Sequence, residues 1–361
     1  YTGGDVTQFN RDPTEPSLGG VKAGLPPREH KLTNLLFHKR VAHIGDAEGC
    51  DVCMKLRRTL RHVYKKVEPY KDERVGYIWS MDAITWSNHS KQGNRYCIVM
   101  RDMGASGFLI LIHLAHKSDA TESIRRVVTQ MRNDPRFDEA QTTFGFRLIS
   151  EIRTDPAGEW RDDNVEYQNM CRETGIIMSY SSPDDKRNAS HAENAVRLVE
   201  RGTKAIMMET NCPIEFVEYA ANQYARLHNC FPLKRDLKST DGDAIRPLER
   251  LSNGRVSRRQ CDRIIHHSIP VGTPCLVTVP HIRGSDITNI ARCRWAVAID
   301  QYGDLPIFLC PYTGVHIRSK GYVAFHLKPD QLAWTFLGLE SPPMPKTNPR
   351  HTDETAVSYT H

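Results

Sequence analysis

Three acids are placed where they could do chemistry. Asp82 stands in an otherwise apolar and aromatic run, with Tyr77, Ile78, Trp79 and Met81 before it and Ile84 and Trp86 after. A carboxylate left unpaired in such a run is costly to bury, so it asks for a partner cation. Asp155 stands beside Pro156-Ala157-Gly158 at the mouth of a β-rich run, and Glu193 lies in the first turn of a long amphipathic stretch. Clustered carboxylates of this kind suit Mg²⁺, which prefers oxygen ligands and keeps part of its water shell. Two such ions, held about 3.5–4 Å apart, stabilise both the attacking and the leaving oxygen of an in-line phosphoryl displacement. The competing reading is three unrelated acids among 43, capping helices or pairing with arginine. Spacing alone does not choose between them.

The elements that must position these groups follow from the pattern. Val75–Thr85, Arg95–Met100 and Gly107–Leu114 are short β-rich runs, separated by turn residues at Gly93-Asn94 and Gly104, as a meander requires. Lys117–Met131 predicts a helix with Ser118 as its cap and Ile124, Val127, Val128 and Met131 as its apolar stripe. Phe146–Arg153 predicts a fourth strand that ends at Asp155. A helix over Arg161–Thr174 closed by Gly175, and a fifth strand over Ile176–Tyr180, come next. After a polar loop from Ser181 to Ser190, a long helix runs to about Met208. At helical spacing it places Glu193, Arg197, Arg201 and Lys204 on one face and Ala192, Ala195, Val196, Val199 and Ile206 on the buried one. An acid followed by a basic ladder could hold a metal and then track a phosphate backbone. Pro213–Asn229 is a further amphipathic helix. The expectation is an α/β fold, a mixed five-stranded sheet flanked by helices.

Beyond this core, Lys234–Gln260 reads as a polar linker, made basic by Arg246, Arg250, Arg255, Arg258 and Arg259, with Arg263 just beyond it. Short β segments at Pro274–Val279, Arg294–Ile299, Pro306–Leu309 and Tyr322–Leu327 suit a small β-barrel. The expected divisions are a tail over 1–30, a His/Cys module and basic helix over 31–71, the core over 72–233, a basic linker over 234–265, the barrel over 266–340 and a polar tail over 341–361.

The 361-residue chain is long enough for two or three such units and carries a net charge of +6. Between Lys31 and Lys71 there are ten Lys/Arg against four acids, so this stretch alone accounts for +6. In it Leu56, Leu60, Val63 and Val67 fall on one helical face, with Lys55, Arg58, Arg61, Lys65 and Lys66 elsewhere; a nucleic-acid contact and a plain solvated face both fit. No apolar run is long enough to span a bilayer and no secretory leader is visible, so the expected chain is soluble, without a membrane partner. Ten cysteines, of which only Cys50 and Cys53 are closely paired, suggest intracellular thiols and one possible metal site. The chain opens at Tyr1, as a processed product or a fragment would, and its polar tails are of a kind that orders against a partner surface.

In the order and spacing of its motifs, the stretch from about Leu32 to Leu327 resembles the integrases of copia-type long-terminal-repeat retrotransposons. Trp79-Ser80-Met81-Asp82 is similar to that family's first catalytic strand, and the run from Arg95 to Asp102 to its second. Thr154-Asp155-Pro156-Ala157-Gly158-Glu159-Trp160 resembles its Asp-x-Gly-x-Glu-aromatic segment, and Pro183–Glu193 the loop that delivers its catalytic Glu, 37 residues lying between Asp155 and Glu193. Phe216–Pro232 and Arg246–Gly254 resemble the family's later helix and its Pro-x-Glu segment. The resemblance implies a ribonuclease-H-like core, retroviral-integrase-like, with two Mg²⁺ or Mn²⁺ ions held by Asp82, Asp155 and Glu193. It implies 3′-end processing and strand transfer of element ends into target DNA. Lys186, Arg187, Arg197, Arg201 and Lys204 would position that DNA without reading its sequence.

Two departures stand out. The family separates its His pair from its Cys pair by a long helical insert, whereas here His38-x4-His43 is followed after six residues by Cys50-x2-Cys53. The four remain a sound tetrahedral Zn²⁺ set, although a remnant of a collapsed module would show the same residues. Asn188-Ala189 replaces the family's Asn-Gly, which would stiffen the loop before Glu193. The competing functional class is an integrase-derived, non-enzymatic subunit that binds RNA or protein in a large nucleoprotein assembly such as an organellar ribosome. An integrase, which would be homo-oligomeric, is expected in the nucleus or a virus-like particle; a recruited subunit, in mitochondria.

Overall fold

A computed structural model of the chain describes residues 38–40, 42–44, 50–59, 74–155, 160, 164–180, 186–232, 244–278, 293–302, 305–310, 314–325 and 356–357. The expected amino-terminal tail, the continuation of the basic helix through Leu60, Val63 and Val67, and nearly all of the carboxy-terminal tail lie outside them.

The chain is a mixed α/β protein built on two sheets. The first contains β1 (Ile78–Thr85), β2 (Tyr96–Asp102), β3 (Leu109–Leu114), β4 (Glu151–Thr154) and β5 (Ile177–Tyr180), in the order β3-β2-β1-β4-β5. β1–β2 and β2–β3 are antiparallel, while β1–β4 and β4–β5 are parallel. The central strand β1 is buried without a break from Ile78 to Met81, because helices and loops cover both faces there. That continuous burial is why its sequence reads as an apolar run rather than an alternation.

The helices are α1 (Asp51–Thr59), α2 (Ala120–Arg132), α3 (Asp138–Phe144), α4 (Val165–Thr174), α5 (Lys186–Glu209) and α6 (Val217–Cys230). α5 crosses β1, β2 and β4, and α6 packs on α5 and β3. The apolar stripe of α5 is as the periodicity requires, with Ala192, Ala195, Val199 and Ile206 buried. Gly202 lies where α6 comes closest: a Cβ there would stand 1.9 Å from Cδ2 of Tyr224, whose ring is itself buried.

Several local expectations are corrected. The fourth strand is only four residues long, because Ile149 adopts a left-handed φ of 56° that ends any extension from Phe146. Arg132 secures this turn, donating to the carbonyls of Leu148 and Ile149 at 2.8 Å each and to that of Thr174 at the end of α4. Ser118 does not cap α2; it lies in a 3₁₀ turn over Lys117–Asp119, and its hydroxyl contacts Asp119. α4 starts at Val165, capped by the Asn164 side chain, and closes as expected at Gly175 with φ of 67°. The loop before Glu193 is shorter than expected, since α5 already begins at Lys186, and Ala189 suits a helix. α3 carries one buried apolar residue, Ala140, and so gave no periodic signal.

The stretch expected to be a polar linker holds two helices, α7 (Pro247–Leu251) and α8 (Arg258–His266), both packed on α6. Leu248, Leu251, Cys261 and Ile265 are buried at helical spacing, and Ser257 with Gln260 forms a capping box. Arg246 is accordingly not a solvated cation: it is buried, ion-paired with Asp262 and donating to the Arg258 carbonyl.

The expected barrel is an antiparallel sheet. Its strands are β6 (Pro274–Thr278), β7 (Cys293–Tyr302), β8 (Leu305–Leu309), β9 (His316–Arg318), β10 (Tyr322–Phe325) and β11 (Ala356–Val357), in the order β11-β10-β6-β7-β8-β9. Cys275, Val277, Ala296, Ala298, Phe308 and Tyr322 form its core. Gln223 of α6 ties this sheet to the first, accepting from Val271 N at 2.8 Å and donating to Ser268 Oγ at 3.1 Å.

Gly202→Ala forces a methyl into the Tyr224 ring. It is expected to cost about 1–3 kcal/mol and lower Tm in a thermal melt; an unchanged Tm would show that α5 and α6 can move apart freely.

Candidate functional site

The parallel pairing of β1 with β4 brings two of the acids to one level. Ser80 lies opposite Arg153, so two residues further along each strand direction Asp82 lies level with Asp155. Parallel neighbours are about 4.8 Å apart, and level residues project from the same face. Asp82 is half-buried, and one of its oxygens accepts from Ala83 N at 2.7 Å. Asp155, just past β4, is exposed. Glu193 approaches from α5, which lies across these strands. The carboxyl of Asp82 is held above the usual carboxylate range, first by burial, against the Ala83 hydrogen bond, and further by the negative charges of Asp155 and Glu193. All three acids therefore share one electrostatic neighbourhood.

Their grip is open. Glu193 is turned to Arg197, one turn along α5, at 2.9 Å. Among the described residues the one group of three or more His, Cys, Asp or Glu with ligand atoms mutually within 4.8 Å lies elsewhere, and the three acids are more widely spread. The Glu193–Arg197 pair is solvent-exposed, and such pairs are worth well under about 1 kcal/mol. A dication near Asp82 would outweigh it. A set of carboxylates whose mutual repulsion calls for positive charge fits Mg²⁺ or Mn²⁺ in donor chemistry.

The basic ladder is partly neutralised along the helix. Arg197 pairs with Glu193, and Lys204 Nζ stands 3.9 Å from Glu200. Arg201 is half-buried, close enough to Tyr224 to act on its hydroxyl. Lys186 and Arg187 lie in the first turn of α5, and their side chains are outside the described residues.

The second constellation closes tightly. His38 Nε2 stands 3.1 Å from Cys53 Sγ, and His43 Nδ1 stands 3.4 Å from Cys50 Sγ and 3.7 Å from Cys53 Sγ. All four residues are buried. Zn–N and Zn–S bonds at tetrahedral angles place ligand atoms about 3.4–3.8 Å apart; the two His43 separations lie in that span and the His38–Cys53 one just short of it, so the set fits Zn²⁺ with a small opening. Left-handed backbone at Ala42 and His43, with His43 N donating to the His38 carbonyl at 2.9 Å, folds the second histidine back over the first. Burial first, then His38 and Lys39, push the His43 imidazole down to about 3, which keeps it in the neutral ligand form. The carboxylate of Glu209, at the end of α5, lies 3.7 Å from His43 Nε2 and 2.6 Å from Lys39 Nζ. In that place it would orient the ring and leave Nδ1 to the metal.

Sequence reasoning missed Glu209, for which no local signal exists, and it missed Arg101, Arg153 and His191. Arg101 and Arg153 flank Ser80 on its two neighbouring strands, one step from the acids. Arg153 donates to Glu151 at 2.7 Å. Burial, then these two guanidiniums, lower the proton affinity of His191 at the start of α5. Trp160 is buried against Tyr167 at 5.6 Å between ring centroids.

No family model matches the chain. Solved structures to which it is similar include a chain of the simian T-cell lymphotropic virus intasome in complex with the PP2A regulatory subunit B56 gamma, at 14% identity and a TM-score of 0.37, covering 72% of this chain and 81% of that one. The catalytic core domain of BIV integrase is similar at 15% identity and a TM-score of 0.34, covering 51% of this chain and 99% of that one. No helix among the described residues is long and apolar enough to cross a membrane.

Two outcomes follow from these geometries. Asp82 holds its proton more tightly folded than unfolded, so its contribution to stability is present at low pH and lost as pH rises through the folded value. Asp82→Asn is therefore expected to raise Tm at pH 7 in metal-free buffer, the gain vanishing below about pH 4, near the unfolded value; a lowered Tm at pH 7 would contradict the crowding of the three acids. The purified chain is expected to carry one Zn²⁺ by elemental analysis and to lose it on Cys53→Ser, with Glu209→Gln weakening affinity by about tenfold.

Proposed function

We propose that the chain is a divalent-metal-dependent polynucleotidyl transferase of the integrase kind, related to the copia-type retrotransposon enzymes and built on a ribonuclease-H-like core. The observation that carries this reading is that the parallel register of β1 and β4 sets Asp82 level with Asp155, while α5, which bears Glu193, lies across these strands. The order and directions of the five strands also support it.

In this reading Asp82, Asp155 and Glu193 hold two Mg²⁺ or Mn²⁺ ions. Bound ions would activate the attacking hydroxyl and neutralise the leaving oxygen. The chain's own residues set the stage. β1 cannot shift without breaking pairing on both sides, so Asp82 is the fixed member. Asp155 stands just past the end of β4, and Glu193 would swing in from its contact with Arg197. Arg197, Arg201 and Lys204 along the same helix would meet the phosphate backbone, with Lys186 and Arg187 at the helix start. The substrates are DNA element ends and target DNA. The His/Cys module would hold Zn²⁺ and dock the amino-terminal segment against the far end of α5.

The Glu193–Arg197 pair also favours a second reading, an integrase-derived subunit that binds nucleic acid without catalysis. Incubating the purified chain with Mg²⁺, a duplex with a recessed 3′ end and a supercoiled plasmid separates the two. Joined products that fall below about 1% with Asp82→Asn, Asp155→Asn or Glu193→Gln are expected; DNA binding without joining would sustain the second reading and sink the first. Arg197→Gln is expected to lower the Mg²⁺ concentration for half-maximal joining, since Glu193 no longer has a competing partner.

A further inference from the structure

At the end of the first sheet remote from the three acids, aromatic rings and arginines interleave on the surface. Tyr77 stands one residue before β1, about 16 Å from Asp82 along an extended strand. Its ring meets Phe146 at right angles, 4.9 Å between centroids, and Phe146 stacks on Phe144 at 5.6 Å with 19° between the planes. Gly145, left-handed at φ of 71°, ends α3 between the two phenylalanines and brings their rings to one side. All three rings are half-buried. Phe144 packs against the core, while a Cβ at Gly145 would meet nothing within 4 Å, so the turn that carries the stack faces solvent. Three arginines frame it. The Arg74 guanidinium stands 4.0 Å from the centre of the Tyr77 ring, Arg147 follows Phe146 in the chain, and both residues are exposed. Asn253 Nδ2 reaches Thr143 Oγ1 at 3.5 Å, which sets the turn after α7, and with it the exposed Arg255, beside Phe144. Neither Arg147 nor Arg255 has an ion pair among the described residues, and the acids of α3, Asp138 and Glu139, lie at its opposite end.

We propose that Tyr77, Phe144 and Phe146, with Arg74, Arg147 and Arg255, form a stacking site for a single-stranded nucleic acid. Flat apolar rings set among cations match the two parts of a nucleotide, base and phosphate. Unpaired bases stack on the rings, and Arg147 and Arg255 take the phosphates. Arg74, which stands over Tyr77 in the free chain, holds the place of a base there. An incoming base displaces its guanidinium from the ring and leaves the charge to a neighbouring phosphate. A duplex keeps its bases paired and offers the rings nothing to stack on, so the site selects unpaired strand. It stands apart from the acids and does not depend on their binding metal; an integrase and a recruited RNA-binding subunit would both use it.

The test titrates the full chain, loaded with Zn²⁺, with short fluorescent strands of oligothymidylate and oligouridylate, and with an abasic strand and a duplex of the same length. Phe146→Leu keeps an apolar side chain in place and removes the ring. It is expected to weaken binding of the base-bearing strands about fivefold or more, leaving the abasic strand and the duplex unchanged, and Phe146→Trp is expected to restore it. The tighter of the two base-bearing strands identifies the source as DNA or RNA. Arg255→Gln, at an exposed position, reads the site without disturbing the rings. It is expected to lower the slope of log affinity against log salt by about 0.7, one phosphate contact on a single strand. With iodouracil in the strand, ultraviolet cross-links are expected on the peptide that contains Phe144 and Phe146. Absence of single-strand binding, unaltered binding by Phe146→Leu, or an equal loss on the abasic strand would overturn the proposal. So would a dimer in light scattering that Phe146→Leu abolishes, since the rings would then be covered by a second copy of the chain.

Discussion

The pairing of β1 with β4 is the constraint on which the candidate site depends. Hydrogen-bond register is discrete: a slip by one residue would turn Asp155 to the other face of the sheet and part it from Asp82. That register is secured away from the acids. Ile149 N donates to the Gly76 carbonyl, Ser150 N and Glu151 N both donate to the Tyr77 carbonyl, and Arg132 holds the turn before β4. The fully buried Asp102 adds to it, accepting from the backbone of Gly76, Gly104 and Ser106 and so binding the start of β1 to the end of β2. A buried carboxylate satisfied by several donors stabilises a framework, whereas one opposed by two neighbouring charges waits for a counter-charge. Asp102 and Asp82 are these two cases on adjacent strands.

Much of the core was legible in the sequence because its signals are local. The runs around Met81, Val99 and Leu111 are apolar and β-branched or aromatic, and the α5 stripe recurs at three and four residues. Gly175 marks its helix end because only glycine takes a left-handed φ at no steric cost. What escaped was non-local or low in contrast. Ile149 is an apolar residue inside an apolar run, and nothing in its neighbours announces a positive φ. The polar composition of 246–266 hid two helices whose buried residues are few, and Arg246 counted as a surface charge although it is spent on Asp262 and a carbonyl.

The candidate sites divide in the same way. The His/Cys set could be read from spacing because all four ligands lie within sixteen residues. The acids could be named but not oriented, since Glu193 has a basic neighbour one turn away that spacing shows as a ladder and geometry shows as a partner. Glu209, Arg101 and Arg153 reach their places only through tertiary packing.

α5 connects the two sites as a single rod. Sixteen residues separate Glu193 from Glu209, about 24 Å along the axis and close to half a turn in azimuth. One carboxylate thus faces the sheet's acids and the other the His/Cys cluster. At its far end the helix is held through the Lys39–Glu209 pair, and midway Gly202 sets its closest approach to Tyr224 of α6. Any turn of α5 that re-aimed Glu193 would therefore also have to move Glu209 against Lys39, so a disturbance of the His/Cys segment is one the acidic end can feel.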